Sequence, residues 1–144
     1  MTYIEIGDWP LMQTAAQAVR TAVFVQEQGI APEDEWDADD ATALHAVLFD
    51  VNGQVLGNAR LLQPSVNVAK VGRMAVLKEV RGHGYGARLL KALLLEARRR
   101  GNKEVRLSAQ RTAEGFYAAY GFSIVGEPFD EVGIPHVEMR LSLV

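Results

Sequence analysis

Arg81, Gly82, His83, Gly84, Tyr85 and Gly86 lie between a strand-like run and a strongly amphipathic helical one. At such a junction the first N–H groups of the helix lack an intrahelical acceptor and the helix dipole adds positive potential, so the place suits a phosphate. The glycines let the backbone approach an anion with no Cβ in the way. The run also fits GxGxxA. A dinucleotide-binding turn, however, follows its strand directly, whereas here residues 77–80 intervene and antiparallel strands replace the opening βαβ unit. A GxxxxGK[ST] phosphate loop is absent. Read without any ligand, the glycines make a helix-starting turn. The chain has no cysteine, which removes thiol nucleophiles, thiolate metal sites and disulfides together. Its three histidines, His45, His83 and His136, are too far apart to form a metal site by spacing, and no metal is expected.

The elements that must position this loop are read from periodicity. Residues 3–6 alternate weakly as a short strand. Asp8 and Pro10 then start a helix in which Met12, Ala15, Ala16, Val19, Ala22 and Val23 recur at three- and four-residue steps as far as Gly29. Residues 27–40 hold seven acidic side chains and no basic one, with Pro32 and Trp36 breaking any period, and read as a solvated loop with one helical turn. Residues 45–51 and 54–62 are strand-like runs joined by Asn52-Gly53, a two-residue hairpin signal. A turn over residues 64–67 leads to a third run, Val68–Val76. After the glycine loop, Leu89, Leu90, Leu93, Leu94 and Ala97 stripe a helix closed by Gly101. A strand over residues 104–109, a helix over 112–120 and a strand over 123–127 follow. In a last strand Val137, Met139, Leu141 and Leu143 alternate with His136, Glu138, Arg140 and Ser142. This order predicts an α/β (α+β) layer fold, with a mainly antiparallel sheet and one crossover helix joining parallel neighbours.

Arg81-x-x-Gly84-x-Gly86, preceded by a strand and followed by the leucine-striped helix, resembles the acetyl-CoA-binding motif of the GNAT N-acetyltransferase superfamily. Phe116, Tyr117, Gly121 and Phe122 match that family's FYxxxGF signature. Finer features resemble its ElaA-like subgroup: Val23-Phe24-Val25-Gln26-Glu27-Gln28-Gly29, Glu35-Trp36-Asp37 with Asp40 and His45, Ala109-Gln110, and Gly133-Ile134-Pro135-His136 with Met139. The resemblance covers nearly the whole chain. It implies one domain over residues 1–144, a mixed sheet of about six to seven strands splayed at the acetyl-CoA slot, and helices on both faces.

Carried over by residue, the resemblance places the acetyl-CoA pyrophosphate on the backbone amides of Arg81, Gly82, His83, Gly84, Tyr85 and Gly86. Met74, Ala75 and Val76 would run beside the pantetheine arm, with the Val76 N–H polarising the thioester carbonyl. Tyr117 would protonate the departing CoA thiolate during direct attack by an amine. Glu27, His45 and His136 are the candidate bases on the acceptor side. Each also reads structurally, the histidines as hydrogen-bonded strand residues and Glu27 as a surface carboxylate. Trp36 reads either as a wall of an acceptor pocket or as a loop anchor. Phe116, Tyr120 and Phe122 read as core.

Of 144 residues, 49% are hydrophobic, enough for a complete core without disulfides. No apolar run approaches the ~20 residues a bilayer span needs, and the first residues lack signal-peptide character, so a cytoplasmic protein that does not insert in a membrane is the default expectation. The net charge of -3 hides a segregation into an acidic first half, a basic middle over residues 70–111 and an acidic end. The basic middle contains the glycine loop; the acidic segment 27–40 is expected to face a cationic acceptor. Nucleic-acid binding is not expected, because the basic helix face is short and the rest of the chain repels phosphate. The expected partners are acetyl-CoA as cosubstrate and a small amine or exposed amino group; a homodimer is compatible with the sequence. The alternative is a non-catalytic acyl-CoA-binding or sensing module, against which the Tyr117 hydroxyl speaks.

Overall fold

Asp8 begins the first helix because its carboxylate accepts the Leu11 N–H at 3.3 Å and Pro10 occupies the first turn, where its missing N–H is no loss. The structure, a computed structural model, describes residues 1–144. Strand β1 (Thr2–Gly7) leads into α1 (Trp9–Arg20), whose ladder widens without a break into a π-helical segment, Thr21–Glu27. The acidic segment folds as α2 (Pro32–Glu35) and a 3-10 turn (Ala38–Ala41). Then come β2 (Leu44–Asp50), β3 (Val55–Ser65), β4 (Val68–Val76), α3 (Tyr85–Arg99), β5 (Glu104–Gln110), α4 (Glu114–Ala118), β6 (Ser123–Glu131) and β7 (Ile134–Ser142). No helix is long and apolar enough to cross a membrane.

The seven strands form one sheet in the order β1-β2-β3-β4-β5-β7-β6. All neighbours are antiparallel except β4 and β5, which α3 joins as a crossover. That parallel ladder is the shortest: Val68, Ala69 and Lys70 pair with Glu104, Val105 and Arg106, and beyond Lys70 the two strands part. The edge of β4 from Val71 to Val76 therefore has no strand on its β5 side, which is the splay the resemblance implies.

Alternation along β2 explains why each face carries a helix. Ala46 and Leu48 face a core shared with Leu89, Leu90 and Leu93 of α3, while Val47 faces Met12 and Ala16 of α1. Burial of each α3 leucine stabilises the assembly by about 1.5–3 kcal/mol. The closest approach is at Gly57 on β3, where a Cβ would stand 2.9 Å from Leu89 Cδ1 and 3.2 Å from the Ala75 carbonyl oxygen.

Several boundaries differ from the sequence expectation. The Asn52-Gly53 connection is a three-residue loop closed by the Asp50–Gln54 backbone pair, and the Asp50 carboxylate accepts the Asn52 and Gln54 N–H groups. Only Gly53 takes a positive φ there, at 82°. The Thr112 region makes a 3-10 turn before the five-residue α4, and β6 runs on to Glu131 through an irregularity between Val125 and Phe129. The acidic segment is not a solvated loop: Glu35 and Asp40 are buried.

Candidate active site

Where β4 leaves β5 it also bulges. Its pairing steps from Ala75 opposite Asn58 to Gly72 opposite Arg60, so Arg73 and Met74 stand against Ala59 alone. Arg73 takes φ 51°, a left-handed conformation costly for a residue with a Cβ. It is held there because its carbonyl accepts from Asn58 Nδ2 at 3.0 Å and its Nη2 donates to the Glu35 carbonyl at 2.9 Å. The irregular backbone brings Met74, Ala75 and Val76, three consecutive residues, onto a cavity of about 720 Å³ between the parted strands. Val23 and Phe24 of the π segment, Leu107 of β5, and Phe116 and Tyr117 of α4 also line it.

At one end this cavity reaches Arg81. The residues just beyond it turn into α3 through Gly82 (φ 87°) and Gly84 (φ 77°), conformations that strain any residue but glycine. The first-turn amides of α3 have no intrahelical acceptor, and no side chain caps them at Gly84. Gly86 stands where helix and slot meet: a Cβ would lie 3.6 Å from Phe116 and 3.9 Å from Val76. The His83 ring packs on Tyr85, 5.6 Å between centroids. The Arg81 guanidinium donates to both Glu27 carboxylate oxygens, at 2.7 and 2.6 Å, and to the Val76 carbonyl at 3.0 Å. The Arg81 hydrogen bond holds the Glu27 carboxyl below its usual range. Glu27 itself is outside the cavity wall.

The opposite end is walled by an ion network. Arg20 Nε lies 2.9 Å from Glu35 and its Nη1 2.8 Å from Asp40, while Arg60 Nη1 lies 2.9 Å from Asp40 and 2.7 Å from Asp37. Arg73 closes it onto Asp37 at 3.2 Å. Burial alone would lift the Asp40 carboxyl and lower the Arg20 and Arg60 guanidiniums. The mutual hydrogen bonds outweigh burial, so Asp40 sits below its usual range and both arginines above theirs. Arg73 is lowered, by burial and then by the neighbouring Arg60 charge. Trp36 anchors this wall, its ring 5.1 Å from the Arg20 guanidinium, with Trp9 at 5.5 Å. His45 is fully buried behind the network, its Nε2 2.9 Å from the Asp40 carbonyl and its ring against Trp9, and does not line the cavity. Burial keeps it neutral by lowering its pKa.

Tyr117 and His136 do reach the cavity. Tyr117 packs edge-on between Phe116 and Phe122, at 5.0 and 5.9 Å, and burial pushes its phenol up to about 12. The buried His136 ring stacks on Phe129, with Nδ1 2.7 Å from the Ile134 carbonyl and Nε2 3.5 Å from Glu131.

The sequence profile of the acetyltransferase (GNAT) domain matches residues 13–143. The chain belongs to the GNAT acetyltransferase family. Among its relatives, the Bacillus subtilis N-acetyltransferase YjcF is 34% identical over 122 residues, covering 84% of this chain and 86% of that one. An acyl-CoA N-acyltransferase from Pseudomonas aeruginosa superposes with a TM-score of 0.87 at 32% identity, over 99% of this chain and 100% of that one. Escherichia coli ElaA superposes with the same score, 0.87, at 28% identity, again over 99% and 100%.

In this GNAT domain the structure thus brings Tyr117, Met74, Ala75, Val76, Arg81 and His136 to one cavity, and leaves Glu27 at its rim and His45 behind its wall. Arg60, Arg73 and Glu131 also line it and were not singled out from sequence. Arg20 and Arg60 carried a signal all the same, as the two basic residues among ten acidic ones in residues 1–69.

Proposed function

We propose that this GNAT enzyme transfers an acetyl group from acetyl-CoA to an amine by direct attack. The observation that carries the reading is one alignment: a slot with the unpaired edge of β4 along its side and Tyr117 in its wall, reaching Arg81, with the uncapped amides of α3 just beyond. The pyrophosphate would lie on the amides of residues 81–86, where a doubly charged group meets the α3 dipole. The pantetheine arm would bond the open edge of β4 at Met74, Ala75 and Val76 as a strand would, and the Val76 N–H would polarise the carbonyl.

Tyr117 then faces the leaving sulfur. A phenol at about 12 remains protonated throughout the physiological range. Complete proton transfer to an ordinary thiolate, whose thiol has a pKa of about 8.5, would be uphill. Tyr117 therefore acts mainly as a hydrogen-bond donor to developing charge, transferring its proton fully once the thiolate is itself desolvated and more basic. For the base, geometry favours His136 over Glu27, which is held by Arg81, and over His45, which is fully buried and does not line the cavity. Calorimetric titration with acetyl-CoA and an acetylation assay over a broad amine panel test the reading. Binding with turnover of at least one amine supports it; neither binding nor turnover refutes it.

A further inference from the structure

The turn between β6 and β7 places one more polar pair on the cavity wall. His136 is 6% exposed. The Ile134 carbonyl, 2.7 Å from its Nδ1, can only accept, so Nδ1 carries the hydrogen and Nε2 is the ring atom free to take up or share a proton. No protein donor meets that atom. What faces it, at 3.5 Å, is the Glu131 carboxylate, a second acceptor. The two are reconciled by a hydrogen between them, carried on Nε2 or brought by a donor from outside. Glu131 is 53% exposed and has no arginine or lysine partner, unlike Glu35 and Asp37 on the facing wall, which are held by Arg20, Arg60 and Arg73. Asp34 and Asp39 line the same cavity, likewise without a basic partner, and Lys70 is its one cation with no carboxylate partner. The hairpin that fixes the pair is strained: Val132, between Glu131 and Gly133, takes φ 45°, a conformation a β-branched residue adopts only where its surroundings impose it.

We propose that Glu131 receives the acceptor: the ammonium group of a protonated primary alkylamine docks between the Glu131 carboxylate and His136 Nε2, and amines carrying a carboxylate beside the reacting nitrogen are disfavoured. This rests on the acyl-transfer reading above. The ammonium gives one proton to His136 Nε2, and the freed nitrogen lone pair forms the C–N bond at the thioester carbonyl. The C–S bond breaks with its electron pair going to sulfur, which takes the Tyr117 proton. The amide nitrogen then releases its second proton, restoring the phenol through solvent. The sum is alkylammonium and acetyl-CoA giving N-alkylacetamide, free CoA and one proton, carried away from His136. A carboxylate next to the amine would instead meet the Glu131 carboxylate, in a cavity whose other charges without an ion-pair partner are Asp34, Asp39 and Lys70.

The test compares wild type with Glu131→Gln, an isosteric change at an exposed position, on an aliphatic primary amine that is a cation at neutral pH, an aromatic amine that is neutral there, and a free amino acid. In wild type the aliphatic amine is expected to have the highest kcat/KM. In Glu131→Gln the aliphatic-to-aromatic kcat/KM ratio should fall about three- to tenfold through the aliphatic KM, with Glu131→Asp restoring part of it. Added salt should raise the wild-type aliphatic KM more than the aromatic one. An unchanged ratio, or the free amino acid as the preferred wild-type acceptor, overturns the assignment while leaving acyl transfer intact. A wild type that acetylates none of the three while acetyl-CoA binds overturns the assignment, and the broad panel then decides the acyl-transfer reading separately.

Discussion

Tyr117 is the residue whose environment and proposed chemistry constrain each other most. Burial keeps the phenol protonated at about 12, and the same burial would keep water from the sulfur that Tyr117 is proposed to serve. Tyr117→Phe keeps the ring and its edge-on contacts and deletes the donor. Turnover should drop about 10²- to 10⁴-fold while calorimetric affinity for acetyl-CoA changes little. Retained turnover would remove Tyr117 as the acid, and full binding without turnover would separate the enzyme from a mere acyl-CoA sensor. Glu27 poses the opposite case. Its carboxylate is engaged by Arg81 beside the glycine loop, so Glu27→Gln frees a guanidinium for the cosubstrate. Acetyl-CoA should bind about two- to fivefold tighter in the variant, as loss of an exposed ion pair allows. Equal or weaker binding, or a collapse of turnover, would contradict this and return Glu27 to the list of bases.

Elements carry the strain that the site needs, and they mark where sequence reading succeeds and fails. The glycine loop and α3 were legible because Gly82 and Gly84 stand at positive-φ positions and the leucine stripe has one period. The β6–β7 turn was not, since Val132 is a poor residue for the left-handed conformation it holds and nothing in Glu131-Val132-Gly133 announces that Glu131 faces a histidine five residues later. The π-helical widening of α1 was equally silent, because Val23 and Phe24 keep an apolar spacing that an ordinary helix would also show. The hairpin strain is testable by itself. Val132→Asn substitutes a residue that tolerates φ 45° and should relieve about 1 kcal/mol, raising Tm by about 3 °C by calorimetry. A lower Tm would mean that the Val132 side chain earns more in contacts than its backbone loses. At Gly57 the direction reverses. Gly57→Ala drives a Cβ to 2.9 Å from Leu89 and 3.2 Å from backbone, so α3 must shift off the sheet at a cost of about 1–3 kcal/mol in chemical denaturation.

At the scale of the molecule, segregated charge resolves into two different devices. The basic middle, residues 70–111, contains the glycine loop and the helix that follows it. The acidic segment proves to be largely occupied by its own arginines: Arg20 and Arg60 reach it from α1 and β3, and Arg73 from the bulge in β4. No composition could reveal that, since the partners lie up to 38 residues away in sequence. This network makes stability depend on pH in a definite direction. Asp37 is held below its ordinary value by hydrogen bonds from Arg60, and Asp40 by Arg20 and Arg60 against the cost of burial, so both stabilise the fold above the unfolded carboxylate pKa of about 3.9. That contribution is lost as pH falls through the lowered folded values, which places the acid limit of the wild type below about pH 4. Arg20→Met inverts the relation. It keeps an apolar stem near Trp9 and Trp36 but leaves the buried Glu35 with Arg73 alone and the buried Asp40 with Arg60 alone, at a cost of about 3 kcal/mol near pH 7, or about 10 °C in Tm. Buried carboxyls that lose one of two cations take up protons at higher pH than in the wild type, and the neutral forms are cheaper to bury. The Tm difference between wild type and Arg20→Met should therefore shrink as pH is lowered from 7 towards 4.5. A difference that stays constant over that range would show that Arg20 stabilises by packing between the two indoles, with its ion pairs contributing nothing net.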